Sequence, residues 1–122
     1  MRNKGFTLIE VLAVIIILGA LTALIIPKVI DVIDASKQKA YDEMVSNIEN
    51  STVIYVQNNS DTITNAYVVG STLTITLQQL VDAGIFKEAA LINPMTEALI
   101  PLTTTVSVNV VGISQYEATL NY

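Results

Sequence analysis

The sequence predicts an α+β chain in which one long N-terminal helix, apolar through its first half, packs against a small antiparallel sheet. Three observations carry that expectation. Phe6–Ile26 is apolar on every side, with Glu10 as its single charge. Beyond Lys28 the apolar residues thin into a stripe, with Tyr41, Met44, Ile48 and Tyr55 at or near three- and four-residue spacing, as on one face of a helix. After Asp61 charge becomes sparse, Thr, Val, Asn and Gly become frequent, and alternation of period two appears near the C-terminus.

The first segment is long enough to cross a bilayer, which takes a helix of about 20 apolar residues. Glu10 breaks its pattern. An acidic residue at the centre of a membrane helix costs roughly 2.5–3.5 kcal/mol on insertion scales, and less near the interface. Two readings fit it. Thr7-Leu8-Ile9-Glu10 has the form of a capping box, with Thr7 capping the helix and Glu10 reaching back to a backbone N–H. Alternatively, Glu10 answers a charge supplied by another molecule. Gly19 and Pro27 are weak points in the same segment. Pro27 has no N–H for the carbonyl of Ala23, and Gly19 costs about 1 kcal/mol of helix propensity relative to Ala. Gly19 with Ala23 also forms a small-xxx-small pair suited to close packing.

Met1-Arg2-Asn3-Lys4-Gly5 is short and basic. A secretory signal peptide is cut at small residues after its apolar region. Here the small residue, Gly5, stands before it, so a cut there would leave the anchor on the protein. Lys4-Gly5-Phe6-Thr7-Leu8-Ile9-Glu10 resembles the processing site of type IV prepilins and related pseudopilins. The resemblance is strong over Lys4–Pro27, looser through Tyr55, and architectural beyond. It implies the type IV pilin fold, cleavage between Gly5 and Phe6 by a prepilin peptidase, and N-methylation of Phe6. It implies assembly, on an inner-membrane platform, into a helical filament of copies of the chain. Glu10 of one subunit would then meet the Phe6 amine of its neighbour, a desolvated pair better credited with fixing register than with net stability. It also makes Gly19–Pro27 the candidate for melting when a subunit leaves the membrane lipid. Arg2 and Lys4 precede the anchor, while Lys28 is followed by Asp31 and Asp34. The leader is therefore expected in the cytoplasm and the rest of a single-pass precursor outside, becoming an extracellular pilus after assembly.

The helix is expected to continue from Lys28 to Asn58-Asn59-Ser60-Asp61. Over about fifty residues it would be ~75 Å long at 1.5 Å per residue, far more than a small core requires. Its polar turns between Asp31 and Asp42 are available to neighbouring subunits. Further on, Tyr67-Val68-Val69 reads as a short strand before Gly70. Thr76 is placed to cap a short helix over Leu77–Ala83, with Gly84 just past its end. Asn93-Pro94 marks a turn, and Ala98–Leu102, interrupted by Pro101, reads as an edge strand. Thr104–Val111 and Gln115–Tyr122 read as a C-terminal hairpin around Gly112. Val106, Val108 and Val110 share one face of it, and Tyr116, Ala118, Leu120 and Tyr122 another. The sheet should have about three or four strands. The divisions are then a cleaved leader (1–5), a membrane and filament-core half-helix (6–27), its amphipathic continuation (28–59) and a small β-rich domain (60–122).

Function classes narrow by absence. The chain has no Cys and no His, which removes disulfides, thiolate metal sites and the commonest nucleophile and base. No phosphate loop or catalytic constellation is present, so an enzyme is not expected, nor a cofactor. The carboxylates beyond the helix, Asp61, Asp82, Glu88, Glu97 and Glu117, are scattered, and no metal site is expected. The net charge of −5 becomes −7 once Arg2 and Lys4 are gone, which disfavours non-specific nucleic-acid binding. The leading expectation is a structural type IV pilus subunit serving adhesion, twitching motility or DNA uptake. The alternatives are a pseudopilin of a type II secretion or competence system and, more remotely, a single-pass anchored binding domain.

Overall fold

A computed structural model of the chain describes residues 5–122. Helix α1 runs Leu8–Asn58 without interruption, passing through Gly19 and Pro27. Strand β1 (Thr72–Thr76) follows, then α2 (Leu77–Asp82), a 3-10 turn at Glu88–Ala90, β2 (Thr105–Gly112) and β3 (Gln115–Asn121). The chain divides into two compact units between Ser36 and Lys37. In the first, every described residue is exposed, because nothing but helix is present to cover them.

The second unit builds the core. From α1 it takes Ile48, Thr52 and Val56, spaced four apart and therefore stacked on one face. Thr52 is buried without penalty, because its Oγ1 donates to the carbonyl of Ile48 at 2.7 Å. The sheet is antiparallel in the order β1-β2-β3. Val106, Val108 and Val110 of central β2 face inward, as their alternation predicts, and Leu73, Ile75 and Tyr116 join them from the edge strands. Leu77 and Leu80 of α2, with Leu91 and Ile100 from the long connection, close the cluster.

The local signals that held are the ones with a mechanism. Thr76 caps α2: its Oγ1 accepts from the Gln79 N–H at 3.3 Å, and the Gln79 side chain accepts from the Thr76 N–H at 2.9 Å. Gly84 follows at φ +76, the left-handed conformation that a helix end favours. The hairpin forms around Gly112, with a register irregularity between Val110 and Gly112 and with Ser114 at φ 59.

Three expectations do not hold. Tyr67-Val68-Val69 is a turn, and the strand lies further on at β1. The Ser71 hydroxyl donates to the carbonyls of Asn65 and Val68, while Asn65 sits at φ 66. These local bonds outcompete an extended backbone whose valines have no core to face. Ala98–Leu102 is not a strand either. Leu99 makes only an isolated bridge to Ile92, and Pro101 offers no N–H to extend it. Tyr122 lies past the end of β3 and is exposed rather than inward.

Candidate functional site

The sequence motif falls at the start of α1. Met1–Lys4, which carry the basic leader, lie outside the described residues. Gly5 is exposed and a Cβ built on it would meet nothing within 4 Å. Phe6 is 88% exposed. Nothing among the described residues covers either of them.

Thr7 and Glu10 close a capping box. The Thr7 N–H donates to Glu10 Oε2 at 2.9 Å, and the Glu10 N–H donates to Thr7 Oγ1 at 3.3 Å. Two of the otherwise orphaned donors of the helix start are thus satisfied within the chain, and a carboxylate sits at the positive end of the helix dipole. Glu10 Oε1 takes no hydrogen bond or ion pair among the described residues. Phe6, Glu10, Val11, Val14 and Ile15 line one shallow trough, so the carboxylate opens onto an otherwise apolar surface beside Phe6.

Beyond it, α1 is long and apolar enough to cross a membrane. Its large apolar side chains from Leu8 to Ile33 are all exposed within the chain. Gly19 leaves open space where a Cβ would stand. Sequence reasoning passed over Thr22, between Gly19 and Pro27. Its Oγ1 donates to the Leu18 carbonyl at 2.7 Å, which satisfies the hydroxyl inside the apolar segment.

The second unit has few polar constructions. Glu49 Oε1 accepts from the Leu120 N–H of edge strand β3 at 2.9 Å, tying the sheet to α1. The sequence offered no signal for that pairing, which joins positions 71 residues apart. Asn93, buried, accepts from the Met95 N–H at 2.8 Å and holds the 93–97 turn. Lys37 and Glu97 form an exposed ion pair at 3.2 Å, of a kind worth at most about 1 kcal/mol. Among the described residues no three or more Asp or Glu side chains gather closely enough to hold a metal ion.

Residues 1–26 match the prokaryotic N-terminal methylation motif. The chain is 39% identical over 54 residues to the type IV narrow pilus major component PilA5 of Thermus thermophilus, a match covering 44% of this chain and 47% of that protein. It is 40% identical over 60 residues to the type II secretion system core protein G of Dickeya chrysanthemi, covering 48% of this chain and 39% of the relative. The corresponding protein of Pectobacterium carotovorum is 38% identical over 60 residues, covering 48% and 38%. The chain thus spans less than half the length of the curated relatives it matches. No solved structure matches it at the same stringency. The chain carries a prepilin-type N-terminus, and the proteins it resembles are a type IV pilin and type II secretion pseudopilins.

Proposed function

We propose that this chain is a structural subunit of a type IV pilus. A prepilin peptidase cleaves it between Gly5 and Phe6, Phe6 is N-methylated, and an inner-membrane platform assembles it into a helical homo-oligomer. The precursor is a single-pass membrane protein with its N-terminus in the cytoplasm, and the assembled filament is extracellular. One observation carries the reading: a methylation motif over residues 1–26 falls on a helix whose large apolar side chains, as far as Ile33, are all uncovered within the chain. Membrane lipid covers them before assembly, and the same helices of neighbouring copies cover them afterwards.

Glu10 acts in assembly and not only as a cap. One of its oxygens accepts from the Thr7 N–H, and the other has no partner among the described residues. The second oxygen is available to the methylated Phe6 amine of a neighbouring subunit without loss of the cap. Each charge alone is costly in hydrocarbon, and the pair sets axial register. Gly19, Thr22 and Pro27 make the middle of the apolar segment the part that unwinds as subunits pack.

A type II secretion or competence pseudopilin is the second reading, favoured by the matches to core protein G at 40% and 38% identity, against 39% for the pilin match. Intact mass and N-terminal sequence of protein sheared from cells separate the two. A chain beginning at N-methyl-Phe6 in the sheared fraction is expected. A processed chain confined to membranes would favour the pseudopilin, and an uncut chain beside an active peptidase would overturn both. The role of Glu10 is tested by Glu10→Gln, which keeps a capping side chain and removes the charge. Breaking a desolvated pair costs roughly 3–5 kcal/mol, so sheared filament should fall at least about tenfold with membrane insertion unchanged. Wild-type filament yield from Glu10→Gln would leave the carboxylate as a cap alone.

A further inference from the structure

The first unit holds a second charge in a setting like that of Glu10. Lys28 is the one cation among its described residues, and the carboxylates there are Glu10, Asp31 and Asp34. Lys28 lines a trough on α1 whose other walls, Leu21, Leu24, Ile25, Val29, Val32 and Ile33, are all aliphatic. Lys28 and Asp31 are both exposed and stand three apart on one helix, a spacing at which opposite charges often meet. They form no pair with each other, since Lys37–Glu97 is the sole ion pair among the described residues. Position 28 also lies past the motif matched over residues 1–26.

A lysine at this place is easily kept while the segment is in lipid. Its stem lies along the apolar surface and its ammonium reaches the interface. That arrangement ends when the same surface packs against copies of the chain. The ammonium is then desolvated, and a desolvated charge needs an opposite charge beside it.

The register proposed for Glu10 selects the carboxylate within reach. Where Glu10 of one copy meets the Phe6 amine of the next, the two copies are offset by four positions, ~6 Å along α1 at 1.5 Å per residue. One symmetry operation relates neighbouring copies of a helical filament. With α1 along the filament axis, the offset at position 28 is therefore the same, whatever the middle of the segment does in between. Lys28 of the copy that supplies the amine then stands level with Val32 of the copy that supplies Glu10. Asp31 is the carboxylate nearest that level, about 1.5 Å away along the axis, and Asp34 is about 3 Å away. Packed helices lie about 8–10 Å apart, a gap that Lys and Asp side chains bridge together. In the opposite direction Lys28 is level with Leu24, and no carboxylate is near.

We infer that Lys28 of each copy pairs with Asp31 of the neighbour whose Glu10 receives its Phe6 amine. The inference rests on the filament reading and adds a second contact to it. Both cations come from one copy and both carboxylates from the other, at nearly one offset. A slip of one helical turn, ~5.4 Å, would break both pairs at once.

The test exchanges charges between chains. Sheared filament, taken relative to membrane-fraction protein, is measured for the full-length wild-type chain, Lys28→Asp, Asp31→Lys, their double variant, and the two single variants co-expressed. Each single variant sets like charges together and should lose at least about tenfold in sheared filament. Co-expressed, the two can alternate along the filament, each Lys28→Asp chain meeting an Asp31→Lys chain, and most of the yield should return. Wild-type yield from the single variants, or from Lys28→Gln, would overturn the pair and leave the filament reading intact. Rescue by the double variant without rescue by co-expression would place the pair within one chain and overturn the contact. Loss with rescue by neither route would overturn it too, as would rescue of Lys28→Asp by co-expressed Asp34→Lys in place of Asp31→Lys. No sheared filament from the wild-type chain would overturn the filament reading itself.

Discussion

Tyr116 is the side chain on which the 59–71 connection depends, and removing one atom from it tests that. The ring is buried under the sheet at 9% exposure, and its hydroxyl donates to the Ala66 carbonyl at 3.0 Å, a bond across 50 residues of sequence. Ala66 is itself buried, and its carbonyl accepts no other bond among the described residues. Tyr116→Phe keeps the ring volume, so no cavity opens. What it leaves is a buried carbonyl without a donor, which costs about 1–3 kcal/mol. For a unit of this size each 1 kcal/mol moves the midpoint by about 4–8 °C. The full chain in detergent, followed by a near-ultraviolet signal, should therefore melt roughly 5–15 °C lower. Amides of the 66–71 turn should exchange about tenfold faster or more, since 1.36 kcal/mol corresponds to a factor of ten. A midpoint within about 1 °C of wild type, with exchange in the turn unchanged, would refute the argument. It would show that burial of Ala66, not the hydroxyl, holds the loop.

Two further outcomes follow from the caps of α2. Thr76→Ala removes the acceptor for the Gln79 N–H and should cost about 1 kcal/mol, while Thr76→Ser should recover most of it; thermal midpoints of the three chains check this. Gly84→Ala should cost about 1–2 kcal/mol from backbone strain alone, because a Cβ there meets nothing within 4 Å while φ is +76. Gly84→Asn should lose clearly less in the same melts, since Asn tolerates that conformation.

How much of this was legible in the sequence depends on the range of the interaction that decides each element. The long helix, the Thr76 cap, Gly84 and the hairpin strands are set by neighbours a few residues apart, and all stand where their local signals put them. The stripe on α1 was visible from Tyr41, Met44 and Ile48, but its fully buried positions proved to be Ile48, Thr52 and Val56. Which way a helical face turns is fixed by the sheet it meets, and the sheet is remote in sequence. The same distance hid β1. Thr72–Thr76 alternates Leu73 and Ile75 inward against threonines, yet it becomes a strand only by pairing with β2, as Leu73 opposite Val108 shows. Tyr67-Val68-Val69 carries the stronger strand propensity and is a turn, because propensity measures fit to a half-buried surface and no such surface is there.

At the N-terminus the two readings of Glu10 were both legible because the box Thr7–Glu10 and the motif Gly5–Glu10 overlap in the same residues. The chain satisfies the first with one carboxylate oxygen, and Glu10 lines an otherwise apolar trough with Phe6. Capping alone would be served as well by Gln, which is neutral and cheaper to place in a membrane segment. A charged residue retained there, beside a helix surface with no cover of its own, makes sense where a cation arrives from outside the chain. In the function proposed above, that cation is the amine freed on Phe6 of a neighbouring copy, two residues before the start of α1.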